Sequence, residues 1–251
     1  YNIDGALVAI AITPFIQLVV LLFIFIKVLR EYLNFKELRF KIPMAKGLLA
    51  FSVMSFFSTV LLNYVEIDIR TMITTQITED DAGIWTAMTF ISKNYMVFST
   101  AIFSLYVLPK FASIHDKRGF MKELGSIYKT LLPIFGIGMI LVYLLRDYVI
   151  LIIYPDFTAM SPLFKWQLLG DFVRLASLVL ANQFLAKSMV RSFIFTEVLS
   201  LGLFYGFAYY FVDSYGIEGV TIAHFVRYVI YAVVVFILVM YNFHRLRKKE
   251  I

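Results

Sequence analysis

Seven mostly apolar stretches, roughly residues 3–26, 47–65, 82–108, 130–145, 162–186, 193–212 and 219–241, take up most of this 251-residue chain. A helix needs about 20 residues to cross the hydrocarbon core of a bilayer, and runs of this length and apolarity predict such helices. The expected fold class is therefore all-α: a polytopic membrane protein with seven transmembrane helices. Composition agrees, with 61% hydrophobic residues, a mean hydropathy of +0.83 and only 16% charged residues, against roughly a quarter charged in soluble domains. No loop between the stretches is long enough to house a folded catalytic or ligand-binding domain. Any function must lie within the bilayer.

The net charge of +6 is a matter of topology rather than of nucleic acid, which is not expected as a partner. If all seven stretches cross, Lys and Arg gather on alternate connections: Lys27, Arg30, Lys36, Arg39, Lys41 and Lys46 after the first, and Lys110, Lys117, Arg118, Lys122 and Lys129 after the third. Lys187 and Arg191 follow the fifth, and Arg245, Arg247, Lys248 and Lys249 the seventh. The opposite connections hold only Arg70 and Arg146 beside acids such as Glu66, Asp68, Asp147, Asp213 and Glu218. By the positive-inside rule the basic connections and the C-terminus are cytoplasmic, and Tyr1 faces the other side.

The opening Tyr1-Asn2-Ile3-Asp4-Gly5 returns as Tyr215-Gly216-Ile217-Glu218-Gly219, each copy running into an apolar stretch. Ala9/Ala223, Ile16/Ile230, Val19/Val233 and Val20/Val234 match in the same register. Parallel repeats of this size suggest a duplicated transport domain. The reading that follows makes 1–26 the last helix of an N-terminal bundle and 27–46 a cytoplasmic linker, either carrying an amphipathic helix over 29–40 or forming a solvated loop with topogenic charges. Residues 47–251 then form a C-terminal six-helix bundle and its basic tail. The chain is expected to be the C-terminal part of a larger protein, with most of a first bundle, about 170–190 residues, ahead of Tyr1.

Charge inside a span costs about 2.5–3.5 kcal/mol on insertion scales, which makes it the place to look for function. Lys165 sits near a span end and can snorkel. In the fifth stretch Gln167, Asp171 and Arg174 are spaced i, i+4, i+7 on one helical face, with Asn182 on the same stripe. Two explanations stand: a self-neutralising Asp171–Arg174 pair that joins helices, or the wall of a hydrated cavity where Arg174 meets an anion and Asp171 holds it between substrates. In the seventh stretch His224, Arg227, Tyr228 and Tyr231 repeat the spacing; Arg suits phosphate oxygens and Tyr suits phosphate or sugar, although a polar helix seam fits too. Lys93, with Thr86, Thr89 and Thr100 around it, is a further cavity candidate, unless it snorkels or pairs with Asp68 or Asp171.

Other features read as structural. Gly202 and Gly206 form a GxxxG that predicts close helix packing. Ser52, Ser55, Thr59 and Asn63 make a small polar stripe, Pro14 and Pro133 are candidate kinks, and Glu197 is expected to be compensated by Arg191 or Lys187. Without cysteine there is no disulfide, thiolate site or catalytic thiol. No P-loop, HExxH or GxSxG pattern is present, and His115, His224 and His244 are too scattered for a metal site. Neither enzymatic chemistry nor a cofactor is expected, and ATP drive is excluded for this chain.

The runs Ala82-Gly83-Ile84-Trp85, Tyr106-Val107-Leu108-Pro109, Leu145-Arg146-Asp147, Phe157-Thr158-Ala159-Met160, Trp166-Gln167-Leu168-Leu169-Gly170-Asp171, and Ala186-Lys187 through Arg191 to Glu197 resemble the Wzx-type O-antigen flippases. The similarity is nearest to their enterobacterial common antigen (lipid III) branch, whose pattern has an acidic residue where this chain has Lys93. That family belongs to the multidrug/oligosaccharidyl-lipid/polysaccharide exporter superfamily, with twelve helices in two bundles. The resemblance implies translocation of an undecaprenyl-diphosphate-linked glycan across the bacterial inner membrane, with a polysaccharide polymerase and a chain-length regulator as partners. Lys93, Gln167, Asp171, Arg174, His224, Arg227 and Tyr231 are then the expected cavity residues, since cations offset the cost of bringing a diphosphate into low dielectric. A cation-coupled multidrug exporter would instead need mainly acidic cavity residues. A glycan polymerase or ligase would need a sizeable outer loop.

Overall fold

A computed structural model describes residues 3–29 and 42–247, and the chain divides into two units at Lys46 and Gly47. In the first unit α1 (Ile3–Ile24) passes through Pro14 without ending and closes in a π turn, Phe25–Leu29. The amphipathic helix expected over 29–40 lies, beyond Leu29, outside the described residues.

The second unit is all helix. α2 (Ile42–Gln76) continues well past the stretch ending at residue 65, so Glu66, Asp68 and Arg70 are helical rather than in a loop. No Gly or Pro interrupts it there, and Thr71, Thr74 and Thr75 return their hydroxyls to carbonyls one turn back. A two-residue break leads to α3 (Glu79–Ile102), whose N-cap Thr78 accepts a hydrogen bond from the Asp81 amide at 3.1 Å. Glu79, Asp80 and Asp81 in its first turn suit the positive end of the helix dipole.

α3 runs through a π turn, Phe103–Val107, into α4 (Leu108–Ser113). α5 (Lys117–Leu144) is capped by Asp116, which accepts from the Gly119 amide at 2.8 Å, and contains Pro133. The basic run from Lys117 to Lys129 is thus the first half of a helix, not a loop. α6 (Arg146–Ile153) was not foreseen. It is short and apolar, and a 3-10 turn, Thr158–Met160, carries the chain from it into α7 (Leu163–Ala186).

α8 (Val190–Arg247) is two helices joined at Gly216, whose φ of 56° and ψ of −139° lie where an L side chain is strained. The sixth and seventh stretches therefore have no loop between them. Gly219 lets the second arm approach the Phe211 carbonyl and the Val212 amide nitrogen, which a Cβ would strike. The protein is an all-α polytopic membrane protein: among the described residues six continuous helical segments are long and apolar enough to cross a bilayer, and the last holds both arms of α8.

α7 is the axis of the second unit. It contributes to two of three buried clusters, one with α3, α4, α5 and α8 around Phe111, Phe120, Phe184 and Tyr231, the other with α3 and α6 around Met88, Met160 and Phe164. The third cluster joins α2, α3 and α8 around Ile69, Ile73, Trp85 and Phe204. α7 and α8 approach closely at Gly170, where a Cβ would collide with the His224 ring and come within 3.1 Å of the Phe225 Cα. Gly202 and Gly206, expected to do this, have no atom within 4 Å of the position of a Cβ. Their helix face is not closely packed among the described residues.

Candidate functional site

The contact at Gly170 brings the polar stripe of α7 against that of α8. Together with α2 and α3 they enclose a cavity of about 150 Å³, and six of the seven expected residues line it: Lys93, Gln167, Arg174, His224, Arg227 and Tyr231. Tyr228, Glu66, Glu197, Phe204, Thr89 and Ser92 complete most of its polar and aromatic wall.

Asp171 is the exception. It is fully buried behind the wall, absent from the cavity lining, and saturated by donors from three helices. Ser92 Oγ donates to its Oδ2 at 2.6 Å, Gln167 Nε2 at 3.2 Å, and the Tyr95 hydroxyl binds the same oxygen. His224 Nε2 lies 2.9 Å from Oδ1. The i,i+3 pair with Arg174 does not form: no Asp171–Arg174 contact comes within ion-pair distance. A carboxylate whose lone pairs are already filled by hydroxyl, amide and imidazole donors has little left for a guanidinium on the next turn.

The arginines are consequently held by rings rather than by acids. Arg227, only 4% exposed, lies 4.3 Å above both the Phe204 and Tyr228 rings and donates from Nη2 to the Tyr228 hydroxyl at 2.8 Å. Its Nε and Nη1 are buried without a hydrogen-bond partner, as is Arg174 Nε. Arg174 stands 5.6 Å from the centroid of the Tyr228 ring. Cation–π contacts stabilise such groups but leave their in-plane N–H donors free. Guanidinium groups of this kind, two of them lining one cavity, have the chemistry to pair with an anion.

Lys93 does pair, though not with Asp68 or Asp171 as expected. Its Nζ is 2.6 Å from Glu66 Oε2 on α2, and Asp68 accepts instead from the Tyr209 hydroxyl at 3.0 Å. The half-exposed Lys93 and Arg174 also border a shallower recess of about 410 Å³ along α3, past Thr100 to Ser104. Glu197 does not make the ion pair expected with Arg191 or Lys187; it lines the cavity together with Arg227 and Arg174.

Several expected polar positions turn inward on their own helices. Thr59 and Asn63 bond Ser55 and Thr59 carbonyls, Thr86 the Ala82 carbonyl and Asn182 the Leu178 carbonyl. Among the described residues no group of three His, Cys, Asp or Glu could hold a metal ion. Sequence reasoning missed Glu66, Tyr95, Glu197 and Phe204. Glu197 gave the same signal as the arginines, a charge within an apolar run; Phe204 gave none among so many aromatics.

No protein-family model and no solved structure matches the chain. Two curated proteins do, both called lipid III flippase, from Escherichia coli strain K12 and Shigella flexneri, each 31% identical over 229 residues. The match covers 91% of this chain and 55% of each relative, so the chain spans about half their length.

Proposed function

We propose, for a chain related in sequence to the lipid III flippases over nine-tenths of its length, that it moves a polyprenyl-diphosphate-linked oligosaccharide across the bacterial inner membrane. The observation that carries this is the pair of guanidinium groups, half-buried Arg174 and buried Arg227, that line one cavity and each keep buried N–H donors without a partner. A buried donor without a partner costs about 1–3 kcal/mol, more when charged. A diphosphate in the cavity recovers that cost and offsets its own desolvation.

The remaining lining suits the rest of such a molecule. Gln167, Thr89, Ser92, Ser200 and the tyrosine hydroxyls offer hydrogen bonds to sugar, while Lys93 can leave Glu66 for a phosphate oxygen. The glycan is an O-antigen or enterobacterial common antigen repeat unit. Movement proceeds by alternating access, with this bundle working against a preceding one, the basic segments and C-terminus on the cytoplasmic side, and a polymerase and chain-length regulator acting on the exported product.

The test is complementation of a strain lacking its lipid-linked glycan flippase by the full-length protein and by its Arg227→Gln variant. The wild type should restore export and the variant should leave lipid-linked glycan accumulated on the cytoplasmic face at normal protein abundance. Export of cationic drugs in place of glycan would favour the multidrug exporter, and normal export by Arg227→Gln would remove the guanidinium from the mechanism.

A further inference from the structure

The face of α7 opposite the cavity borders a second, different hollow. Gln167, Arg174 and Leu178 point one way; Lys165, Leu168, Leu169 and Phe172 lie about half a turn round the helix. With Gly136, Met139, Ile140 and Tyr143 of α5 they line an apolar groove of about 450 Å³. A Cβ at Gly136 would lie 3.4 Å from the Phe172 ring, in ordinary contact. Around the groove Ile137, Ile140, Leu141, Leu144 and Leu169 are exposed, a surface that in a membrane faces acyl chains.

One end of this groove is cationic. Lys165 is exposed, makes no ion pair among the described residues, and holds its ammonium 4.8 Å from the Trp166 ring. Tyr143 closes the same end, with the Arg146 guanidinium stacked 4.5 Å above it. Trp, Tyr and Lys together are the residues that sit at headgroup depth. The groove below them is almost without polar atoms.

We propose that this groove is a binding site for an anionic phospholipid, its acyl chain lying between α5 and α7 and its phosphate engaged by Lys165 and Arg146. The polyprenyl chain of a transported substrate is the less fitting occupant. A diphosphate held by Arg174 and Arg227 would be on the far side of α7, a helix about 10 Å thick, and the groove's own cations would have no phosphate to meet.

The experiment uses the purified full-length protein in phosphatidylcholine vesicles containing a fraction of phosphatidylglycerol, each lipid in turn carrying a photoactivatable group on its acyl chain. Labelling should map to α5 and α7 around Ile140 and Leu169, and should favour phosphatidylglycerol by about fivefold, the worth of one Lys at an anionic surface. Lys165→Glu should abolish the preference without abolishing labelling, and Leu169→Trp, which fills the groove, should remove labelling by both lipids. Equal labelling by the two lipids, an unchanged preference in Lys165→Glu, crosslinks to another segment of the same chain, or competition by polyprenyl diphosphate would each overturn the proposal. Since no transport is measured, failure here is separate from failure of the flippase reading.

Discussion

His224 Nε2 meets Asp171 Oδ1 at 2.9 Å across the α7–α8 contact, and Arg174, one turn along α7 from that carboxylate, does not share it. The node has a function its members lack singly. By filling Asp171 with donors from Ser92, Tyr95, Gln167 and His224, it keeps the nearest acid from quenching the cation that faces the cavity.

Removing those donors should therefore weaken anion binding indirectly. Ser92→Ala with Tyr95→Phe frees Asp171 to pair with Arg174, and glycan export should fall several-fold while protein abundance stays near normal. Adding Asp171→Asn should restore part of it, because the released acid is gone. Export assays across these variants check this; no recovery in the triple variant would mean the node acts only through packing.

Arg174→Ala should abolish or strongly reduce export with little change in membrane expression, and Arg174→Lys should retain part, keeping the charge but losing the fork. If Arg174→Ala instead lowers expression, its role is structural.

The Lys93–Glu66 pair is partly exposed, and such pairs contribute about 0–1 kcal/mol. Glu66→Gln should leave thermal stability of the purified full-length protein nearly unchanged. Lys93→Gln should reduce export more than Glu66→Gln does, since only Lys93 can take a phosphate. Equal losses would make the pair an α2–α3 tie and nothing more.

Packing predictions invert the motif-based expectation. Gly170→Ala drives a Cβ into the His224 ring and should lower the yield of folded protein, measured by fluorescence-detected gel filtration. Gly202→Ala and Gly206→Ala meet no neighbour and should hold or raise the yield, by up to about 1 kcal/mol each in helix propensity.

Orientation is tested with cysteines introduced into this cysteine-free chain. Those at Asp80 and Ser214 should react with an impermeant maleimide from the periplasmic side, and one at Lys117 only after the membrane is opened. Reaction at Lys117 from outside would reverse the topology.

Apolar length located the long apolar helices found among the described residues, because satisfaction of backbone hydrogen bonds in lipid leaves few alternatives. It did not locate their ends. α2 and α5 run on through charged residues at 66–70 and 117–129, where polarity reads as a loop but nothing in the backbone forbids helix. The i, i+3, i+4, i+7 stripes placed Gln167, Arg174, His224, Arg227 and Tyr231 on cavity-facing surfaces because periodicity fixes faces. Which groups pair is a tertiary matter: Lys93 with Glu66, and Asp171 with Ser92, depend on how α2, α3 and α7 are brought together, and no spacing within one helix encodes that.

Both arms of α8 face the same cavity, Glu197 and Phe204 from the first and His224 and Arg227 from the second, and only Gly216 stands between them. The two arms are a pair of calipers closed on Arg227 and the Phe204 ring, with a single backbone torsion as the screw. Stiffening that residue with a side chain would change the aperture itself without altering any group that lines it.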